Sequence, residues 1–344
     1  MPDTAALQDW LQDYLPVSVA LPEPLGLSPL DGDAGFRRYF RLNTQPSMMA
    51  VLAPPTQENN PAFVSKALAL RAGGVHTPRV YAVDYQNGFM LLEDFGDDLY
   101  SHHIASSTAG KLYDAAEQSL LSIQQMTPPK DVFANYNRTL LQQEMGLFPE
   151  WFINQLLGLE LMPEERKLLD DTFELLTVNA TEQPQRVVHR DYHCRNLMVL
   201  SDGDVGVIDF QDGVIGPITY DLVSLLKDCY VRWPRDWVRK RALNYADNLA
   251  TAGLLAEVDE KQFIRWFDLM GLQRHIKVLG IFARLWLRDG KPRYLNDLPL
   301  VLRYTLEVTA EYPELEAFNQ WLHKRILPVL PQQGWYSDWQ TAGE

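Results

Sequence analysis

Apolar residues recur at helical spacing at the start of the chain and then give way to short apolar runs. Leu7, Trp10, Leu11, Tyr14 and Leu15 predict a helix over 4–15. Residues 36–42 and 48–52 predict two strands, the second stopped by Pro54-Pro55. Asn60-Pro61 reads as an N-cap with Pro at the first helical position, opening a helix that ends near Gly73-Gly74. Residues 80–84 and 89–93 flank Gln86-Asn87-Gly88, and an Asn-Gly turn between apolar runs predicts a hairpin. Residues 1–94 therefore predict a small strand-rich lobe.

Beyond residue 94 the period changes. Helical patterns cover 110–126, 138–157, 163–180, 219–231, 235–252, 259–289 and 296–312. The exception is 186–208. There Val187-Val188 leads into a polar loop, and 197–200 pairs with 205–208 across Ser201-Asp202-Gly203-Asp204. A strand-rich lobe (1–94) followed by a mainly helical lobe (95–344) predicts a bilobal α+β fold.

Composition changes this picture little. At 344 residues the chain can bury a large core, and its apolar and charged fractions are those of a soluble globular protein. It has no apolar run of about 18 residues and no signal-peptide pattern, so a cytoplasmic location with no membrane partner is expected. Cys194 and Cys229 are too few for a disulfide framework, and their spacing offers no zinc site. The formal charge of −14 argues against nucleic acid as a partner. It suits either a soluble surface or the attraction of a cationic substrate.

The candidate chemistry lies around the polar loop. His189-Arg190-Asp191-Tyr192-His193-Cys194-Arg195-Asn196 is followed by Ile208-Asp209-Phe210. Phosphoryl transfer needs a carboxylate to receive a hydroxyl proton, an amide oxygen on Mg²⁺ and a second carboxylate on Mg²⁺. Asp191, Asn196 and Asp209 supply these in that order. Each alone reads as an ordinary turn residue; the ordered set does not. His189 suits a role in tying down the loop backbone.

This pattern resembles the aminoglycoside phosphotransferase family of the protein-kinase-like fold, which phosphorylates small molecules. Ile208-Asp209-Phe210-Gln211-Asp212 and Gly216-Pro217-Ile218-Thr219-Tyr220-Asp221-Leu222-Val223-Ser224-Leu225 carry the likeness onward. The resemblance implies ATP and Mg²⁺ as cofactors, and Asp221 as a support of the catalytic loop. Blocks at 32–41, 53–55, 91–96 and 220–230 also resemble the bacterial anomeric kinases of N-acetylmuramate and N-acetylglucosamine. They imply transfer to the C1 hydroxyl of an amino sugar in peptidoglycan recycling. Two rivals stay open: a kinase of a cationic alcohol such as an aminoglycoside or choline, and a nucleotide-binding pseudokinase.

On the nucleotide side, Gly32 to Gly35 is the expected phosphate loop. The lysine usual on the third strand of such kinases is missing from 48–52. Arg37, Arg38 or Arg41 could supply the charge. Glu93 and Phe95 fall where backbone groups would meet adenine. For the acceptor, Asp212, Asp228 and Arg195 lie near the motif, and most of the aromatic residues of the helical lobe are expected in the core.

Overall fold

The computed structural model describes residues 4–20, 24–30, 35–104, 107–201, 203–256 and 258–344. The chain divides into two compact units. The first joins residues up to Ala134 with Cys194–Gly213; the second joins Asn135–His193 with Val214–Glu344. The units thus exchange at 134/135, 193/194 and 213/214, where the sequence suggests a single division at 94. The fold is α+β, strand-rich toward the N-terminus and helical toward the C-terminus.

The first unit is built on strands β1 (Leu27–Leu30), β2 (Arg38–Leu42), β3 (Met48–Leu52), β4 (Val80–Asp84) and β5 (Phe89–Glu93). They form one antiparallel sheet in the order β1-β2-β3-β5-β4. Arg38 pairs with Leu52, and Ala50 with Leu91. The period of two puts Phe40 and Leu42 on one face, where they pack with Leu7 and Leu11 of helix α1 (Thr4–Tyr14). Arg37, Tyr39 and Arg41 alternate onto the other face. Gly88 closes the β4–β5 turn at a φ of +73°, and a Cβ there would run into the Ala53 carbonyl.

Helix α2 (Asn60–Ala72) has the expected extent, but its cap is Asn59, whose Oδ1 accepts from Ala62 N at 3.1 Å. Asn60 instead donates its side-chain amide to the Ala53 carbonyl at 2.8 Å. β1 was not expected, and Pro29 at its centre is tolerated because β1 is an edge strand. The hairpin of Leu197–Val199 with Val205–Val207 also belongs to this unit. Gly206 lies there under Phe95, whose ring would be 2.8 Å from a Cβ.

The second unit packs its helices around Phe148, Phe152, Leu176, Leu272, Ile276, Leu279 and Leu302. The helix expected over 138–157 is two pieces: an α-helix at Arg138–Met145 and a π-helix at Phe148–Leu156. Pro149 lacks an N–H and clashes with the preceding turn, so the helical register resets there. The helix expected over 219–231 ends at Leu226. Asp228 stops it by accepting from the backbone N–H groups of Tyr230 at 2.8 Å and Val231 at 2.6 Å. Val214–Pro217 forms a strand paired antiparallel with Gln185–Val188; its glycine and proline had concealed it in the sequence. Among the described residues no helix is long and apolar enough to cross a membrane.

Candidate active site

In the first unit, the hairpin holds Asn196 just before its first strand and Asp209 just after its second. Ile208 N donates to the Asn196 carbonyl at 3.1 Å, which ties the two ends together. Asn196 Nδ2 approaches Asp209 Oδ2 at 3.4 Å, and Gln211 Nε2 donates to Asp209 Oδ1 at 2.6 Å. Asp209 has a φ of +63°, a left-handed conformation that costs a non-glycine residue about 1 kcal/mol or more. Phe210 is buried against Phe63 of α2, with centroids 5.0 Å apart. Lys66, one turn along α2, donates to the Gln211 carbonyl at 2.5 Å. The carboxylate thus projects from a segment anchored on both sides.

Both donors that Asn196 and Asp209 offer a cation are hard oxygens, the type Mg²⁺ prefers. Among the described residues no group of three or more His, Cys, Asp or Glu could hold a metal. An Asp–Asn pair fits a Mg²⁺ that takes its remaining ligands from phosphates and water.

Arg37, just before β2, and Arg38 and Arg41 within it differ in their surroundings. Arg41 is engaged: Nε donates to Asp94 at 2.6 Å and Nη1 to Asp97 at 2.7 Å. Arg38 is exposed, its guanidinium over the Phe40 ring. Arg37 lies on the face of Tyr39, whose hydroxyl is pushed up to about 12 by burial, with the Asp209 charge adding to the shift and Arg37 opposing it. Gly35 is exposed beside Glu58, and Gly32 lies outside the described residues. The Glu93 carboxylate accepts from Arg79 N at 3.0 Å, so its side chain is turned to the segment that enters β4. Phe95 rests on Gly206.

In the second unit, Asp191 is half-buried on the loop after Gln185–Val188. Burial would raise its carboxyl, but Lys277, His193, Arg274 and Arg190 together hold it below the ordinary carboxylate range. The loop is held from below. The buried Asp221 carboxylate, in the first turn of the helix Tyr220–Leu226, accepts from His189 N at 2.6 Å and Arg190 N at 2.9 Å. Its own carboxyl is raised by burial, against the opposing pull of His189 and those N–H groups. Arg190 has a φ of +81°, so the turn before Asp191 is also left-handed. His189 is buried, and its Nδ1 accepts from Asp191 N at 3.3 Å.

Several residues beneath Asp191 escaped the sequence reading. Glu144 pairs with Arg190 and accepts from the Tyr136 hydroxyl, and Lys277 Nζ lies 3.3 Å from it. Lys277 also donates to the Tyr220 hydroxyl at 3.2 Å. Arg274 donates to Ser224 Oγ at 2.7 Å, while its Nε and Nη1 are buried without hydrogen-bond partners. The available signal was two cations at i and i+3 within the apolar stretch of the helix Glu260–Leu287. His193 meets Tyr230 edge to face at 5.3 Å, and Cys194 and Cys229 are buried, the Cys229 thiol pushed up to about 12 by burial. Asp212 and Arg195 are exposed.

Comparison with known proteins gives a consistent family. Residues 26–263 match the model of the phosphotransferase enzyme family. A protein of Pseudomonas aeruginosa named N-acetylmuramate/N-acetylglucosamine kinase is 40% identical over 96% of this chain and 99% of its own. One of the same name from Neisseria meningitidis is 36% identical over 90% of this chain and 92% of its own. Among solved structures, a Plasmodium vivax ethanolamine kinase superimposes with a TM-score of 0.62 at 11% identity, covering 86% of this chain and 83% of its own. An ADP-bound aminoglycoside phosphotransferase gives 0.58 at 15% identity, over 88% and 98%. These likenesses show a protein-kinase-like fold.

Proposed function

The chain belongs to the phosphotransferase enzyme family, and we propose that it is a cytoplasmic, ATP- and Mg²⁺-dependent kinase of N-acetylmuramate and N-acetylglucosamine, acting at the anomeric hydroxyl. The observation that carries this reading is the 40% identity, running nearly end to end, with a kinase named for those two sugars. The ordered Asp191, Asn196 and Asp209 agree with it.

In this reading Asp191 orients the sugar hydroxyl and accepts its proton. Its low basicity suits a loose transition state, in which the proton moves late. Asn196 and Asp209 hold Mg²⁺, which when bound neutralises charge on the phosphates. Arg37 supplies the cation that β3 lacks, and backbone groups near Glu93 and Phe95 meet the adenine. His189 and Asp221 keep the loop in shape. Catalysis then comes from positioning and charge, with no covalent enzyme intermediate.

Purified protein with ATP, Mg²⁺ and either sugar is expected to yield the sugar 1-phosphate, identified by phosphorus NMR. An aminoglycoside and choline belong in the same panel. Turnover confined to them would replace the acceptor, and no turnover with any acceptor would remove the kinase reading.

A further inference from the structure

Kinases of this fold couple a strand lysine to a helix glutamate so that the cation is held toward the nucleotide phosphates. Here β3 reads Met48-Met49-Ala50-Val51-Leu52 and has no cation to couple. Just before the preceding strand, Arg37 Nη2 lies 3.0 Å from Glu58 Oε2. The Arg37 side chain is only 9% exposed, its guanidinium lies over the Phe63 ring at 4.9 Å, and its Nε is buried without a hydrogen-bond partner. Phe63 in turn packs on Phe210, next to Asp209.

Glu58 is itself fixed. It lies between β3 and α2, just before the Asn59 cap, and its backbone N donates to the Pro54 carbonyl at 2.9 Å. Its other carboxylate oxygen, Oε1, accepts from Phe36 N at 2.9 Å. A single carboxylate therefore holds both the guanidinium and the backbone that enters β2. Arg41 is committed to Asp94 and Asp97, and Arg38 points to solvent.

We propose that Glu58 is a positioning residue for the nucleotide: it holds Arg37 in the orientation that a strand lysine takes in other kinases, so that the ion pair has moved from β3 to the residue that enters β2. This rests on the ATP-dependent reading above. The physical basis is preorganisation, since a cation already ordered loses less freedom when phosphate arrives. A Glu58 that merely neutralised Arg37 would have the opposite effect, weakening attraction to phosphate.

The two roles differ in sign. Glu58→Gln keeps an acceptor for Phe36 N and removes the charge. Positioning predicts that its ATP affinity, measured by titration calorimetry on the full chain, falls about tenfold. The KM for ATP should rise in parallel, with kcat within about threefold of wild type. Arg37→Met should weaken ATP further, and the double variant should be no weaker than Arg37→Met alone, because coupled residues are not additive. Unchanged or tighter ATP binding by Glu58→Gln, or full additivity in the double variant, overturns the proposal. Failure of the parent reading looks different: the wild-type protein itself would neither bind ATP nor phosphorylate a sugar.

Discussion

Asp209 and Asp191 carry the same side chain and are supported by opposite means. Asp209 meets neutral amides, from Asn196 at 3.4 Å and Gln211 at 2.6 Å, on an exposed, left-handed turn. Asp191 is set among Lys277, His193, Arg274 and Arg190, on a loop tied down by a buried carboxylate. The first environment sets neutral amide donors against the carboxylate. The second compensates the charge within the protein and keeps the carboxylate ionised. The general lesson is that a role is written in the partners of a carboxylate more than in the carboxylate itself.

The sharpest way to break this comparison is to remove each charge. Asp191→Asn is expected to lower kcat by about 10³-fold, within the range for a lost general base, in a protein that still folds by circular dichroism. A variant that keeps wild-type kcat would end its role as the base. Asp209→Asn should lose about 10²-fold or more and require higher Mg²⁺, read from turnover against Mg²⁺ concentration. If the Mg²⁺ requirement stays fixed while kcat falls, Asp209 does not hold the cation.

Below these come the supports. Asp221→Ala leaves the N–H groups of His189 and Arg190 without their acceptor and should cost about 3 kcal/mol in urea denaturation. A loss under about 1 kcal/mol would mean that the loop is held by other contacts.

The smallest effect is the most diagnostic. Arg274 and Lys277 favour the charged form of Asp191, so removing one lets its pKa rise. In Arg274→Gln the acid limb of kcat/KM should therefore move upward by about one pH unit, while Arg274→Lys should leave it nearly in place. The base is ionised above its pKa, so activity in the glutamine variant is lost at low pH and recovers as the pH rises. An acid limb common to all three proteins would show that these cations act only on folding. An independent pH effect concerns stability. Buried His275 has its pKa lowered to about 3. Between that value and about 6.5 the unfolded chain binds the extra proton, so stability falls as pH drops, by about 1.4 kcal/mol per unit. His275→Gln should flatten that slope in urea titrations.

Local pattern was enough to read β3, β4 and β5 and most of the helices, because periodicity and turn chemistry act within a few residues. It also yielded the ordered set of Asp191, Asn196 and Asp209, since those residues sit on one loop and one hairpin with fixed spacing. Folding settled what depends on residues far apart in the chain. Arg37 and Glu58 are 21 positions apart, and Lys277 meets Glu144 across more than 130; no window along the sequence holds either pair. Which of Arg37, Arg38 and Arg41 is held by carboxylates was equally out of reach, because strand alternation sorts them by face but the acidic partners at 94 and 97 come from another segment. Pairing across a fold is set by packing and charge compensation in three dimensions, and those forces leave only a faint trace in the order of residues.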